Sequence, residues 1–182
     1  SEVDLRMGTF SKSLASCGGF IAGPAEVVEY LRISSRAFLF TASGVPAALG
    51  AALASVKICR SEEGPELYAQ VLSNAKYLHS GLKELGFDVE APTKLPDGEE
   101  LITPIVPVVV GGDWRAVLLW RSLFDAGVYV NVALHPAVPP GGALLRTSVM
   151  ATHTSAVLDR ALEGFAKAKH SFEAEHGPIR GE

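Results

Sequence analysis

A lysine set among hydroxyls and glycines is the first place to look for chemistry in this sequence. Gly8-Thr9-Phe10-Ser11-Lys12-Ser13 puts one amine in a Gly/Ser/Thr loop directly after an alternating, strand-like run, with Gly18-Gly19 shortly behind it. Three chemistries use a lysine in such a setting. A phosphate-cradling P-loop needs a glycine immediately before the lysine, where the chain has Ser11, and another five residues before that, where it has Arg6, so that reading fails. The serine-hydrolase SxxK pattern needs serine where Thr9 stands, and its companion motifs are missing. The third is a Schiff-base lysine: an amine on a flexible stem, of the kind whose pKa a site can lower, beside a hydroxyl able to hold a phosphate. A solvated loop lysine is the alternative for any isolated TxxK.

The surrounding elements must position that loop. Val3 to Met7 alternates as a strand does and runs straight into the Gly-Thr turn, so the chain is expected to begin in mid-domain. Gly18 to Gly23 reads as a short buried strand that completes a hairpin. Pro24 opens a helix to about Ser35. Phe38 to Thr41 is a short apolar stretch leading into a loop, and Pro46 to Arg60, rich in alanine, is expected to be a helix buried in an interface or beneath a domain. Glu62 to Leu85 is amphipathic, with Leu67, Val71, Ala75, Leu78, Leu82 and Leu85 spaced three and four apart and Gly86 as its stop. Ala91 to Glu100 carries prolines, a glycine and charges and reads as a surface excursion. Then come a strand over Ile105 to Val110, a helix over Trp114 to Ala126 stopped by Gly127, strands over Val128 to Val132 and Leu144 to Ser148, and a last helix capped by Thr154. This alternation predicts an α/β layer from about residue 60 onward.

Composition excludes several functions. The 182 residues are 48% hydrophobic and 20% charged, enough to bury a core, and a net charge of −4 leaves no basic stripe for nucleic acid or an anionic membrane surface. No apolar run approaches the ~20 residues of a transmembrane helix. Two cysteines, Cys17 and Cys59, without metal or redox spacing fit a reducing, cytoplasmic setting, and the N-terminus lacks the layout of a signal peptide.

Asp4 to Gly19, with its GTFSK and trailing GG, resembles the cofactor-lysine segment of the α-oxoamine synthases, which belong to fold type I of the pyridoxal-phosphate transferases. Later landmarks keep the family's order. Ala37-Phe38-Leu39-Phe40-Thr41-Ala42-Ser43 followed by Pro46 resembles its FxFTxSxPP loop. Tyr129-Val130-Asn131 through Pro136, Pro139 and Gly141 to Leu144-Leu145-Arg146 resembles its substrate segment, and Ala151-Thr152-His153-Thr154 its HT before the last helix. Within the family the FTAS, YVN and LLR-x-S pieces are most similar to the bacterial serine palmitoyltransferase branch. Glycine C-acetyltransferases, 8-amino-7-oxononanoate synthases and 5-aminolevulinate synthases are its neighbours. Leu134 stands where that branch commonly carries an arginine.

The resemblance implies an acyltransferase that joins an amino acid to an acyl thioester, on CoA or a carrier protein, with decarboxylation to an α-aminoketone. It implies pyridoxal 5'-phosphate on Lys12, Thr9 on the cofactor phosphate, Thr41 reaching the phosphate of the partner subunit in a homodimer, and Arg146 on the substrate carboxylate. It divides the chain into residues 1–60, the end of the large cofactor-binding domain, and residues 61–182, the small C-terminal α/β domain. The family's ring-stacking histidine and pyridine-pairing aspartate precede the lysine segment. The 182 residues are therefore expected to be part of a longer enzyme and, alone, to be inactive and bind cofactor poorly. A non-catalytic dimerisation subunit is the competing reading, against which Lys12, Thr9 and Arg146 stand together.

For Arg146 the alternative is a structural salt bridge, but an unpaired charge in an apolar strand is costly. A guanidinium fork suits a carboxylate because it grips both oxygens. His79, His170 and His176 read as solvated, His153 as a cap neighbour, His135 as a possible contact in the substrate loop, and no histidine has metal-ligand spacing. Trp114 and Trp120 read as core or interface aromatics.

Overall fold

The computed structural model describes residues 3–42 and 44–179. The chain divides into two compact units that meet in sequence at Glu66 and Leu67, a few residues beyond the expected change at 60/61 and inside a continuous helix, where no loop marks it.

In the first unit, strands β1 (Arg6–Thr9) and β2 (Gly19–Ala22) pair antiparallel from Arg6 opposite Ala22 to Thr9 opposite Gly19. The expected hairpin is therefore present, with its first strand starting at Arg6 rather than Val3. Helices α1 (Ala25–Ser34), α2 (Arg36–Leu39) and α3 (Pro46–Cys59) follow. Pro24 sits at the N-cap of α1, where its missing N–H costs nothing. The stretch expected as a plain apolar connection contains the single turn α2. The buried strand expected at β2 is corrected, since every one of its residues is exposed. Within the described residues α3 buries only Ala52, and its apolar side chains Leu49, Leu53, Val56 and Ile58 face outward.

In the second unit, helix α4 (Glu63–Glu84) carries Ala75, Leu78 and Leu82 into the core and ends at Gly86, whose φ of 78° is the left-handed stop expected from the sequence. After it come β3 (Thr93–Lys94), β4 (Glu100–Leu101), β5 (Ile105–Gly111), α5 (Asp113–Asp125), β6 (Asn131–Ala133), β7 (Ala143–Ser148) and α6 (Ser155–His176). The surface excursion over 91–100 thus contains most of a small β3–β4 hairpin. The strand expected over Val128 to Val132 is shorter and later, because the N–H groups of Ala126, Gly127 and Val128 still bond back to carbonyls of α5.

Strands β5, β7 and β6 form one antiparallel sheet in that order, with β7 central. Alternation is clean. Val106, Val108, Val110, Ala143, Leu145 and Thr147 are buried, while Ile105, Pro107, Val109, Leu144, Arg146 and Ser148 lie on the other face, half-buried or exposed. The buried face packs on α5, and α4 and α6 complete a continuous cluster that includes Leu119, Leu123, Leu158, Phe165 and Phe172. Phe87 and Phe165 meet edge to face, ring centroids 5.3 Å apart.

Polar staples finish the packing. Lys169 Nζ donates to the Leu85 carbonyl at 2.8 Å at the end of α4, and Arg115 donates to the Ile179 and His176 carbonyls, each at 3.1 Å, beyond the end of α6. Tyr77 on α4 donates to Asp159 on α6 at 2.5 Å, and that hydrogen bond, with the carboxylate's charge, raises the tyrosine pKa above its ordinary 10.0. Thr154 occupies the α6 N-cap, but its side chain makes no capping bond. Trp120 packs at the edge of the core and donates to the Val130 carbonyl at 3.0 Å, whereas Trp114 is exposed, so the core reading holds for one of the two. Among the described residues no helix is long and apolar enough to cross a membrane.

Candidate functional site

The lysine loop spans Phe10 to Gly18 between β1 and β2, and its shape is fixed by backbone bonds. Phe10 N–H donates to the Gly18 carbonyl and Ser16 N–H to the Phe10 carbonyl, both at 2.9 Å. A tight turn at the lysine is closed by Ala15 N–H on the Lys12 carbonyl at 2.9 Å, with Ala15 at φ 49°. The glycine pair has separate reasons to be glycine. Gly18 lies at φ 97°, and a Cβ on Gly19 would stand 2.6 Å from the Gly8 carbonyl oxygen, closer than the hairpin tolerates.

Hydroxyls organise the loop's entrance. Thr9 Oγ1 and Ser11 Oγ are hydrogen-bonded at 2.8 Å, and Ser11 N–H donates to Thr9 Oγ1 at 3.2 Å. Two serines tie the loop to α3: Ser16 Oγ donates to the Ala48 carbonyl at 2.5 Å, and Ser55 Oγ donates to the Leu14 carbonyl at 3.0 Å. The small residues of α3 allow this approach. Sequence reading missed Ser16 and Ser55, since neither stands in a motif; their partners lie 32 and 41 residues away.

On this platform Lys12 is exposed, and its amine has no hydrogen bond or ion pair among the described residues. Thr9 lines a cavity of about 630 Å³ with Gly8, Gly19, Phe20, Val28 and Phe38; Lys12 is not among its walls. Thr41 follows α2, exposed, its N–H on the Phe38 carbonyl at 3.3 Å. Ser43, the last residue of that motif, lies outside the described residues.

Arg146 belongs to the second unit, at the middle of β7, with Pro107 opposite it on β5 and Asn131 opposite it on β6. Its expected apolar surroundings are corrected: β7 is apolar on the buried face, and Arg146 points to the other one, exposed and without a hydrogen bond or ion pair among the described residues. Burial therefore puts no penalty on its charge. The turn after β7 is held by Asn74, whose buried amide donates to the carbonyls of Met150 at 2.8 Å and His153 at 2.9 Å and accepts from Gln70 at 2.9 Å. His153 Nδ1 accepts the Met150 N–H at 3.3 Å, the cap-neighbour role expected of it. His79 is half-buried rather than solvated, its Nε2 being 3.1 Å from the Glu90 carbonyl oxygen, whereas His170 and His176 are exposed. No cluster of potential metal ligands occurs among the described residues.

A model of the aminotransferase class I and II family matches residues 1–165. The chain belongs to that family. Among its relatives, the serine palmitoyltransferase of Bacteriovorax stolpii is 40% identical over 172 residues, which is 94% of this chain and 38% of that protein. An 8-amino-7-oxononanoate synthase of Thermoanaerobacter pseudethanolicus is 37% identical over 166 residues, 91% of this chain and 39% of that protein. A solved structure of SPT with a PLP internal aldimine superposes at a TM-score of 0.81 and 35% identity, over 93% of this chain and 40% of that one. Sphingomonas wittichii serine palmitoyltransferase gives 0.80 and 32%, over 94% and 41%. The family's α/β fold is thus established, and the chain spans about two fifths of the length of the relatives it matches.

The donor set fits pyridoxal phosphate. An outward amine without a competing partner can condense with an aldehyde, and the neighbouring exposed hydroxyls of Thr9 and Ser11 can donate to a phosphate.

Proposed function

We propose that this chain is the lysine-bearing part of a pyridoxal-phosphate-dependent C-acyltransferase, one that condenses an amino acid with an acyl-CoA or acyl-carrier thioester and releases the amino acid's carboxylate as carbon dioxide. The observation that carries the reading is the unpaired Lys12 amine on a hydroxyl-bearing loop pinned by Ser16 and Ser55. Bound pyridoxal phosphate supplies an electron sink for the charge left when the amino acid's Cα loses a proton. Lys12 holds the cofactor covalently and, once displaced by the substrate amine, takes that proton at Nζ. Thr9 donates its hydroxyl to the cofactor phosphate, and Thr41 serves the phosphate site of a second subunit, which makes the working enzyme a homodimer. Arg146 grips the substrate carboxylate with its planar fork.

In this reading residues 1–60 close the large cofactor domain, residues 61–182 form the small one, and the protein is a cytoplasmic enzyme that makes a sphingoid-base precursor. The similar identity to 8-amino-7-oxononanoate synthase supports a second branch of the same chemistry, with a different amino acid and acyl chain. The test is the visible absorbance of the full-length protein with pyridoxal phosphate, titrated with L-serine, glycine or L-alanine. A band that shifts with one amino acid and is absent in Lys12→Ala supports the enzyme and names its substrate. A protein without the band is instead a structural subunit.

A further inference from the structure

We propose that Asn131 is a second ligand for the substrate carboxylate, acting beside Arg146 from the neighbouring strand. The inference rests on the carboxylate role given to Arg146 above. Residues directly opposite in an antiparallel pair project from the same face with Cβ atoms roughly 4.5–5.5 Å apart, and Asn131 is the residue opposite Arg146 on β6. Both are exposed, and neither side chain has a hydrogen bond or ion pair among the described residues.

The two flanks of Arg146 differ in kind. On β5 its neighbour is Pro107, which offers no polar side chain. Around it on the open face, Ile105, Val109, Leu144 and Ala133 are apolar. The polar side chains on this face of the paired strands are Arg146 and Ser148 of β7 and Asn131 of β6, so the polar flank of Arg146 is the β6 one. A carboxylate presents about four lone-pair sites, of which a guanidinium fork takes one on each oxygen. The Asn131 amide N–H can take another from the β6 side, while its amide oxygen can accept a spare guanidinium N–H and hold the fork in plane. Because the amide is neutral, it adds a donor without cancelling the arginine's charge.

The test uses the full-length protein loaded with pyridoxal phosphate, following cofactor absorbance to obtain dissociation constants. The probes are L-serine, L-alanine and glycine, each compared with its carboxylate-free counterpart: ethanolamine, ethylamine and methylamine. Asn131→Ala is expected to weaken the amino acid by about tenfold, the size of one hydrogen bond to a charged group, and to leave the amine unchanged. The loss falls on KM and not on kcat, as removal of uniform binding does. Asn131→Gln retains part of the affinity. Asn131→Asp is the most damaging variant, because its own carboxylate occupies the Arg146 fork, with an expected loss of roughly a hundredfold. Amino-acid affinity unchanged in Asn131→Ala, or amino acid and amine weakened alike, overturns the proposal. Arg146→Ala separates the two claims: if it weakens the amino acid while Asn131→Ala does not, only the asparagine role fails, and if it has no effect, both fail.

Discussion

The two units differ in how much of their order comes from side-chain burial within the described residues. From Leu67 onward a continuous apolar cluster links three helices and a sheet, with Phe165, Phe172, Leu82, Leu119, Leu123 and Leu145 all essentially closed to solvent. Up to Glu66, Ala52 is the sole buried hydrophobic side chain among the described residues, and the lysine loop keeps its shape through hydrogen bonds of backbone and serine. The carboxylate-binding candidate stands on a strand whose other face is core. The nucleophile candidate stands on a loop held by backbone and serine hydrogen bonds. A reactive amine needs a fixed direction, and hydrogen bonds to its loop can supply it.

The comparison can be broken most readily by truncation of side chains. Phe165→Ala is expected to destabilise the second unit by about 3–5 kcal/mol, whereas Leu53→Ala, on the exposed side of α3, shifts stability by no more than about 0.5 kcal/mol. Urea denaturation of this chain reads both, and equal losses contradict the contrast. A smaller effect is expected at Asn74. Its replacement by alanine strands the Met150 and His153 carbonyls that it now serves, a loss of about 1–3 kcal/mol. The denaturation midpoint then falls with an unchanged slope. The smallest effect is at Tyr77, where the folded pKa is raised by Asp159. Its stabilising contribution is fully present below the tyrosine's ordinary 10.0 and is lost as pH climbs through the higher folded value. Tyr77→Phe therefore removes part of the alkaline loss of stability, seen as a shallower fall of melting temperature above that pH.

Much of this was legible in the sequence where the signal is local. The three-and-four spacing of α4 placed it over Glu62 to Leu85, within a residue of its observed Glu63–Glu84 extent, and Gly86 and Gly127 marked helix ends as left-handed glycines do. The strand–loop–GG pattern located the lysine hairpin, because φ at Gly18 and the close approach at Gly19 leave little choice of residue. Long-range partners were not legible. Ser16, Ser55 and Asn74 carry no pattern of their own and are defined by carbonyls distant in sequence. Burial was misread at β2 for a related reason: an apolar run reports what an element can bury and not the presence of a layer to cover it. The face of β7 on which Arg146 stands followed only once Leu145 and Thr147 were seen to be buried on either side of it.

The central claim is that Lys12, and no other lysine, carries the cofactor. It is tested most directly by reducing the pyridoxal-phosphate-loaded full-length protein with borohydride, digesting it and mapping the phosphopyridoxyl group by mass spectrometry. The account predicts the adduct on the peptide that contains Ser11-Lys12-Ser13, with unmodified Lys57 and Lys76. An adduct on another lysine, or none at all, contradicts it.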